Sequence, residues 1–328
     1  MVPDGTLDRF RSDLDALVPR GERIGIAVSG GPDSLALLLL AAQARPGEVA
    51  AATVDHGFRP ESRAEAETVA RTCEKLGIPH AILTVEWDEL PTSAIQERAR
   101  SARYETLAIW MRESHLSYLL TGHHLDDQAE TLVMRLNRGS GVTGLAGMRP
   151  STIVPGAPDL NLVRPLLGWH RSALEAICGE AGATPSDDPS NFDPRHERVR
   201  VRQAIADAGW LDAEAVARSA SNLAIANEAL DWATDREWDA RVTLEDASLV
   251  YSVVDAPVEI RRRVAARAIA KLATEGPDRL RGSELDRVMN ALITGRAATL
   301  RGVLCEGGKS WRFSRAATRK ERTAVSRV

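Results

Sequence analysis

The stretch "AVSGGPDSLALLLL" (27–40) decides how this chain is read. It completes "RIGIAV" (23–28), a short apolar run that predicts a buried strand. Gly30, Gly31 and Pro32 then break regular structure, and the Leu- and Ala-rich run 33–44 restores it as a helix. Glycines in such a turn let another molecule approach the main chain closely. The helix N-terminus beyond it offers unpaired N–H groups and about half a positive charge, which suits phosphate. Ser29 and Ser34 add hydroxyl donors. Asp33 is either the helix cap or a carboxylate that meets phosphate through a cation.

The rest of the first half keeps this rhythm. Strands are predicted at 48–54, 80–85 and 116–121, and helices at 60–77, 92–113 (with Thr92 or Ser93 as N-cap) and 125–137. Alternation of this kind predicts an α/β fold, a parallel sheet with helices on both faces. The rhythm changes after 147. Residues 150–160 read as loop, 170–182 as helix, 183–195 as turn and 196–240 as long helical segments. A smaller α/β unit follows, with strands near 247–254, 298–305 and 309–314 and helices near 257–274 and 283–294. The expected organisation is a catalytic segment 1–205, a helical linker 206–245 and a small C-terminal domain 246–328.

With 328 residues, 44% of them apolar, the chain can bury a sizeable core. No run of 18 apolar residues is present, so no membrane span is expected, and the acidic, polar start lacks the features of a secretory signal. Cys73, Cys178 and Cys305 lie far apart without a CxxC pair, which argues against a disulfide framework, a cysteine-rich zinc site or a redox pair. A reducing, cytoplasmic setting fits. The net charge of −4 hides local excess. Arg195, Arg198, Arg200 and Arg202 crowd one segment, and Arg312 and Arg315 lie in a basic C-terminal stretch. These are solvated faces or contacts for nucleic acid.

Two familiar phosphate loops are excluded. The segment has no lysine where GxxxxGK[ST] requires one, and Gly25, Gly30 and Gly31 do not make GxGxxG. Asp126, Asp127 and Glu130 begin the helix 125–137, and Asp127 and Glu130, three apart, share a face. Carboxylates just beyond a parallel strand can hold an ammonium group or Mg²⁺, or take a proton from an attacking amine. An acidic helix start favoured by the macrodipole is the plainer reading. His123 and His124 precede these acids.

"SGGPDS" (29–34) resembles the loop of the PP-loop, or N-type ATP pyrophosphatase, superfamily. That resemblance implies ATP, transfer of AMP to an oxygen of the substrate, and displacement of AMP by a nucleophile. Further stretches narrow it: "VDHGFRPES" (54–62), "ERARSARY" (97–104), "TGHHLDDQAETLVMRLNRGSGVTGLAGM" (121–148), "VRPLLGWHRSALEAIC" (163–178) and "SDDPSNFDPRHERVRVR" (186–202). Together they resemble the tRNA(Ile)-lysidine synthetase family, densely over 20–205 and loosely beyond.

The resemblance implies ligation of the ε-amine of free L-lysine to carbon 2 of the wobble cytidine in tRNA(Ile) with a CAU anticodon. ATP first adenylates the cytidine, and AMP and diphosphate are released. By the same resemblance, Ser29, Gly30, Gly31, Pro32, Asp33, Ser34, Val54, His56, Arg59, Arg100, Gly122 and His123 hold ATP. Asp127 and Glu130 handle lysine, Asp33 and Asp127 share a Mg²⁺ that comes with ATP, and Arg198 joins Asp33, Asp127 and Glu130 in catalysis. Arg138, Arg195, Arg198, Arg200, Arg202, Arg312 and Arg315 are expected to meet the tRNA, and Glu97 and Arg103 to lie in a motif lining the site. A homodimer is compatible with all of this. The chain departs from the family where Val199 replaces an asparagine after Arg198.

Rival readings are separable. Sulfur-transferring relatives need paired cysteines, and glutamine-dependent ones need a glutaminase domain; the sequence offers neither. A nucleotide sensor has no need of Asp127 and Glu130, and a pure RNA-binding protein has no need of "SGGPDS". Aromatic content of 4% also leaves little for base stacking.

Overall fold

The computed structural model describes residues 3–58, 61–87, 93–186, 193–253, 255–273, 280 and 282–316. Contacts divide the chain into two units, one formed by residues up to Arg138 with Ala146–Ser221, the other by Gly139–Leu145 with the chain from Asn222 onward. The division falls inside one long helix, so the segment 206–245 is shared between the units.

The first unit is built on β1 (Ile24–Ala27), β2 (Val49–Asp55), β3 (His80–Thr84), β4 (Tyr118–Leu120), β5 (Ser151–Val154) and β6 (Ala157–Val163). They form one sheet in the order β3-β2-β1-β4-β6-β5. All neighbours are parallel except the edge pair β5–β6. Ile24, Gly25 and Ile26 are buried, as expected of a central parallel strand covered on both faces. The helices of this unit are α1 (Asp4–Asp15), α2 (Pro32–Ala44), α3 (Glu61–Lys75), α4 (Ile95–Glu113) and α5 (Leu125–Asn137), then, beyond a short turn described below, α7 (Arg171–Glu180) and α8 (Glu197–Asp207).

Every residue of α2 from Ser34 to Ala41 is buried. A helix apolar all round must be covered all round. It shares a core with Phe10 and Leu14 of α1, Leu174 and Ile177 of α7, and Trp169. On the other face, Trp110 of α4 lies against β1, where a β-carbon at Gly25 would come 2.9 Å from its ring. The sheet therefore fixes the loop after β1. Because β2 and β3 extend to one side of β1 and β4 and β6 to the other, a crevice opens at the C-terminal ends of β1 and β4.

Two expectations are corrected. The segment 150–160 is not loop: β5 and β6 form a hairpin through Gly156, whose φ of +76 suits glycine. Its Pro and Gly content hid an alternation in which Val154, Ala157, Leu160 and Leu162 enter the core. The helix predicted over 92–113 starts at Ile95, after Ala94 at φ 48; Thr92 lies outside the described residues.

In the second unit, α6 (Val142–Leu145) is a single turn and α9 (Ala213–Arg241) enters from the first unit. Then come β7 (Val242–Glu245), β8 (Ser248–Ser252), α10 (Val258–Leu272), α11 (Gly282–Ile293), β9 (Ala297–Leu300), β10 (Val303–Glu306) and β11 (Ser310–Arg315). The strands form an antiparallel sheet in the order β7-β8-β11-β10-β9. Tyr251, Trp311 and Phe313 of the sheet pack with Val264 and Ile269 of α10 and Val288 and Leu292 of α11. The single strand expected at 298–305 is two, divided by Arg301 and Gly302 at φ 50 and 72, and β7 was not expected. Among the described residues, no helix is long and apolar enough to cross a membrane.

Candidate active site

The loop between β1 and α2 is tied down by its own serines. The Ser29 N–H donates to Ser34 Oγ at 3.1 Å, and Ser34 Oγ donates to the Gly31 carbonyl at 3.0 Å. Gly30 is left-handed, with φ +88, and its carbonyl accepts from the Ser186 N–H at 2.9 Å. Gly31 is the N-cap of α2 and Pro32 occupies the first turn, where its missing N–H removes nothing. The N-terminus of α2 thus faces the crevice with its donors free of side-chain caps.

The loop after β4 presses on this turn. A β-carbon at Gly122 would lie 2.9 Å from the Asp33 carbonyl carbon and oxygen and 3.0 Å from Ser34 N. His124, 1% exposed, caps α5 and bridges the acids. Its Nε2 lies 3.5 Å from both Asp33 Oδ2 and Asp127 Oδ2, and its Nδ1 lies 3.3 Å from Asp126 Oδ2. Burial alone would push His124 down, but its contacts with Asp126, Asp33 and Asp127 outweigh this and raise it to about 10. Asp126 is correspondingly lowered to about 2 by His124, with help from the Arg171 N–H. His123 behaves oppositely. Burial lowers it to about 4, and Arg164, Arg100 and Arg198 reinforce this against the pull of Asp127. Two adjacent histidines are thus shifted in opposite directions by their surroundings.

Helix α8 brings the arginine cluster to these acids. Arg198 donates from Nη1 to Asp127 Oδ1 and from Nη2 to Thr131 Oγ1, both at 3.2 Å, and its Nε lies 3.5 Å from Glu130 Oε2. Arg202 Nε donates to Glu130 Oε1 at 2.6 Å. Arg138 pairs with Glu197 at the start of α8. Arg195 pairs with Asp193, and Arg200 donates to the carbonyls of Pro194 and Arg195. In the second unit Arg312 pairs with Glu245, and Arg315 is exposed at the end of β11.

A cavity of about 670 Å³ joins these parts. Ser29, Gly31, Asp33, Ser34, Val54, His56, Arg100, Gly122, His123, Asp127 and Arg198 all line it. Glu130 is 2% exposed and is not among the lining residues. Pro32 and Gly30 shape the turn without lining the cavity, and Arg59 lies outside the described residues. Both nitrogens of His56 are buried without a partner, and burial, with Arg103 nearby, pushes its pKa down. Asp33 Oδ1 is likewise buried and unpartnered, as suits a carboxylate made to meet a cation.

Several contributors escaped the sequence reading. His124 bridges Asp33 and Asp127, with its Nε2 3.5 Å from each carboxylate. Arg164, 6% exposed, lowers His123 from below and has an unpartnered Nε. Gln96 and His196, a hundred positions apart, share a 2.7 Å hydrogen bond beside the cavity. Phe58 stacks between His56 and Trp87 at 5.8 and 5.4 Å. Only the histidine repeat before the acids was visible in advance.

The family profile of the PP-loop domain matches residues 7–208. A tRNA(Ile)-lysidine synthase of Novosphingobium aromaticivorans is 48% identical over 313 residues, covering 95% of this chain and 94% of that one. One of Zymomonas mobilis is 42% identical over 304 residues, covering 92% and 91%. Among solved structures, a U34-tRNA thiolase of Methanococcus maripaludis superposes with a TM-score of 0.54 at 17% identity, covering 69% of this chain and 80% of that one, which is a likeness of fold. With the loop after β1, the acids of α5 and near-complete coverage of such relatives in agreement, the chain belongs to the tRNA(Ile)-lysidine synthase family.

Proposed function

We propose that this chain uses ATP to form lysidine at the wobble cytidine of a tRNA(Ile) with a CAU anticodon, in the cytoplasm. The single observation that carries the reading is that Asp127 lines the same cavity as the loop 29–34. The loop suits a triphosphate, and Asp127 beside it suits an amine.

In the first step, the cytidine O2 attacks the α-phosphorus of ATP, a P–O bond forms, and diphosphate leaves. Main-chain N–H groups at the start of α2 and the hydroxyls of Ser29 and Ser34 orient the phosphates. In the second step, the ε-amine of lysine attacks carbon 2, and the bond to the adenylate oxygen breaks with release of AMP. The amine must lose a proton, and Asp127, which lines the cavity, is the carboxylate we assign to hold the ammonium and receive it. A Mg²⁺ ion fits Asp33, whose Oδ1 is buried without a partner, with Asp127 as second carboxylate. Such an ion neutralises phosphate charge.

The test is incorporation of radiolabelled lysine by the purified protein with ATP, Mg²⁺ and tRNA(Ile) transcripts carrying CAU or GAU anticodons. Label in the CAU transcript alone, dependent on ATP and lost in Asp127→Asn, is the expected result. AMP release without lysine incorporation would overturn the reading.

A further inference from the structure

Glu130 and Asp127 are already paired before any substrate arrives. Arg202 holds Glu130 at 2.6 Å, and Arg198 holds Asp127 at 3.2 Å while lying 3.5 Å from Glu130. The carboxylate oxygens that face the arginines are thus taken, and Asp127 has His124 Nε2 at 3.5 Å as well. On the lysidine synthase reading, a lysine ammonium that reaches Asp127 in the cavity needs oxygen atoms the arginines hold. With both arginines in place, its arrival would crowd cations onto the same carboxylate oxygens in a half-buried site, where like charges in contact are costly.

The two sides of these pairs differ in freedom. The side chains of Asp127 and Glu130 are 11% and 3% exposed, whereas those of Arg198 and Arg202 are 41% and 35% exposed. Helix α8, which carries the arginines, has no buried residue. The cations can leave while the anions stay. A phosphodiester draws a guanidinium outward most effectively, because its oxygens match the planar fork of donors. Most contacts by which proteins position a nucleic acid go to such groups.

We propose that Arg198 and Arg202 are place-holders in the amine site. RNA phosphate takes them from Asp127 and Glu130, so lysine binds well only after RNA. A phosphodiester that arrives with the ammonium supplies the anion to which the displaced guanidiniums turn. Arg202, which touches Glu130 rather than the reacting atoms, is a positioning residue in this scheme. The proposal rests on the lysidine synthase reading.

The experiment is equilibrium binding of radiolabelled L-lysine to the full chain, with an ATP analogue that cannot be cleaved between the α- and β-phosphates. It is run without RNA and with a CAU anticodon stem–loop, on wild type, Arg202→Gln and Arg202→Lys. Wild-type affinity for lysine should rise about tenfold or more with RNA, within the usual range of coupling between sites. Arg202→Gln should bind lysine without RNA and lose most of that dependence, and Arg202→Lys should fall between. Equal lysine affinity with and without RNA in the wild type overturns the proposal, as does an unchanged dependence in a folded Arg202→Gln. ATP-dependent lysine incorporation by the wild type is measured in parallel. If incorporation occurs while binding ignores RNA, the place-holder idea alone fails; if no lysine is incorporated, both readings fail.

Discussion

Gly122 and Asp33 touch main chain to main chain: a β-carbon on Gly122 would sit 2.9 Å from the Asp33 carbonyl. The loop after β4 is thereby pressed onto the first turn of α2, where the phosphate-facing N–H groups begin.

Gly122→Ala should therefore push that turn out of line. The backbone cannot yield as a flexible side chain can, so a loss of about 1–3 kcal/mol is expected. ATP affinity should fall with it. Gly31→Ala is the contrast, because its β-carbon would meet only Ser29 Oγ, at 3.6 Å. That variant should melt like wild type yet bind ATP more weakly, since the methyl group would stand in the path of the phosphates. Thermal melts with and without ATP read both variants. Equal ATP affinity in Gly31→Ala and wild type would remove the close approach of phosphate at this residue.

Arg45 tests stability remote from the cavity. Its side chain is 7% exposed and is shared among Asp15 at 2.8 Å, Glu48 at 3.0 Å and the carbonyls of Val18 and Pro19. Removing a buried partner strands the others, so Arg45→Ala should lose about 3 kcal/mol. KM for ATP should be unchanged at a temperature where the variant is folded. Denaturant unfolding and steady-state kinetics separate the two effects.

How much of this was legible follows from the distance over which each feature is written. The turn after β1 was readable because glycine, proline and serine sit together in one short span between a strand and a helix. The bounds of α5 were readable for the same reason, since its acids and apolar stripe are local. The grip of Arg198 and Arg202 on Asp127 and Glu130 was not readable, because about seventy residues separate the partners and only the packing of α8 joins them. Several arginines expected to face RNA also have partners within the protein, among them Arg138 with Glu197, Arg195 with Asp193 and Arg312 with Glu245. The β5–β6 hairpin was missed for a different reason: loop-forming residues outnumbered the alternating apolar ones, and pairing with β4 overrode local preference.

His80 gives a pH signature. It lies in β3, shares a 2.9 Å hydrogen bond with Thr53 Oγ1, and is pushed below its ordinary 6.5 by burial. The folded state resists the proton while the unfolded chain accepts it below about 6.5. This contribution to stability is therefore present above that pH and is lost as pH falls toward the lowered folded-state value. His80→Gln keeps a hydrogen-bonding group without the titration, so its stability should fall less steeply on acidification. Chemical denaturation from pH 7 downward decides it. Parallel slopes for wild type and variant would mean that His80 does not contribute.

Arg263 ties the short turn α6 into the second unit. Its Nη2 donates to Thr143 Oγ1 at 2.9 Å and to Asn227 Oδ1 at 2.8 Å, its Nη1 to Asp231 at 2.6 Å, and its Nε to Glu259 at 2.9 Å. Asn227 is 1% exposed and also accepts from Thr143 Oγ1 at 2.8 Å. One guanidinium thus links the buried Asn227 of α9 to the exposed Thr143 of the segment 139–145. Arg263→Ala should remove one of the two donors to Asn227 Oδ1 together with the pairs to Asp231 and Glu259, at a cost of about 2 kcal/mol. The backbone amides of 139–145 should then exchange hydrogen faster, while those of β10 and β11 keep their protection. Arg263→Lys, which replaces a fork of donors by a single point charge, should lie between the two. Unchanged exchange at 139–145 in Arg263→Ala would mean that the segment is held by its own turn and not by this arginine.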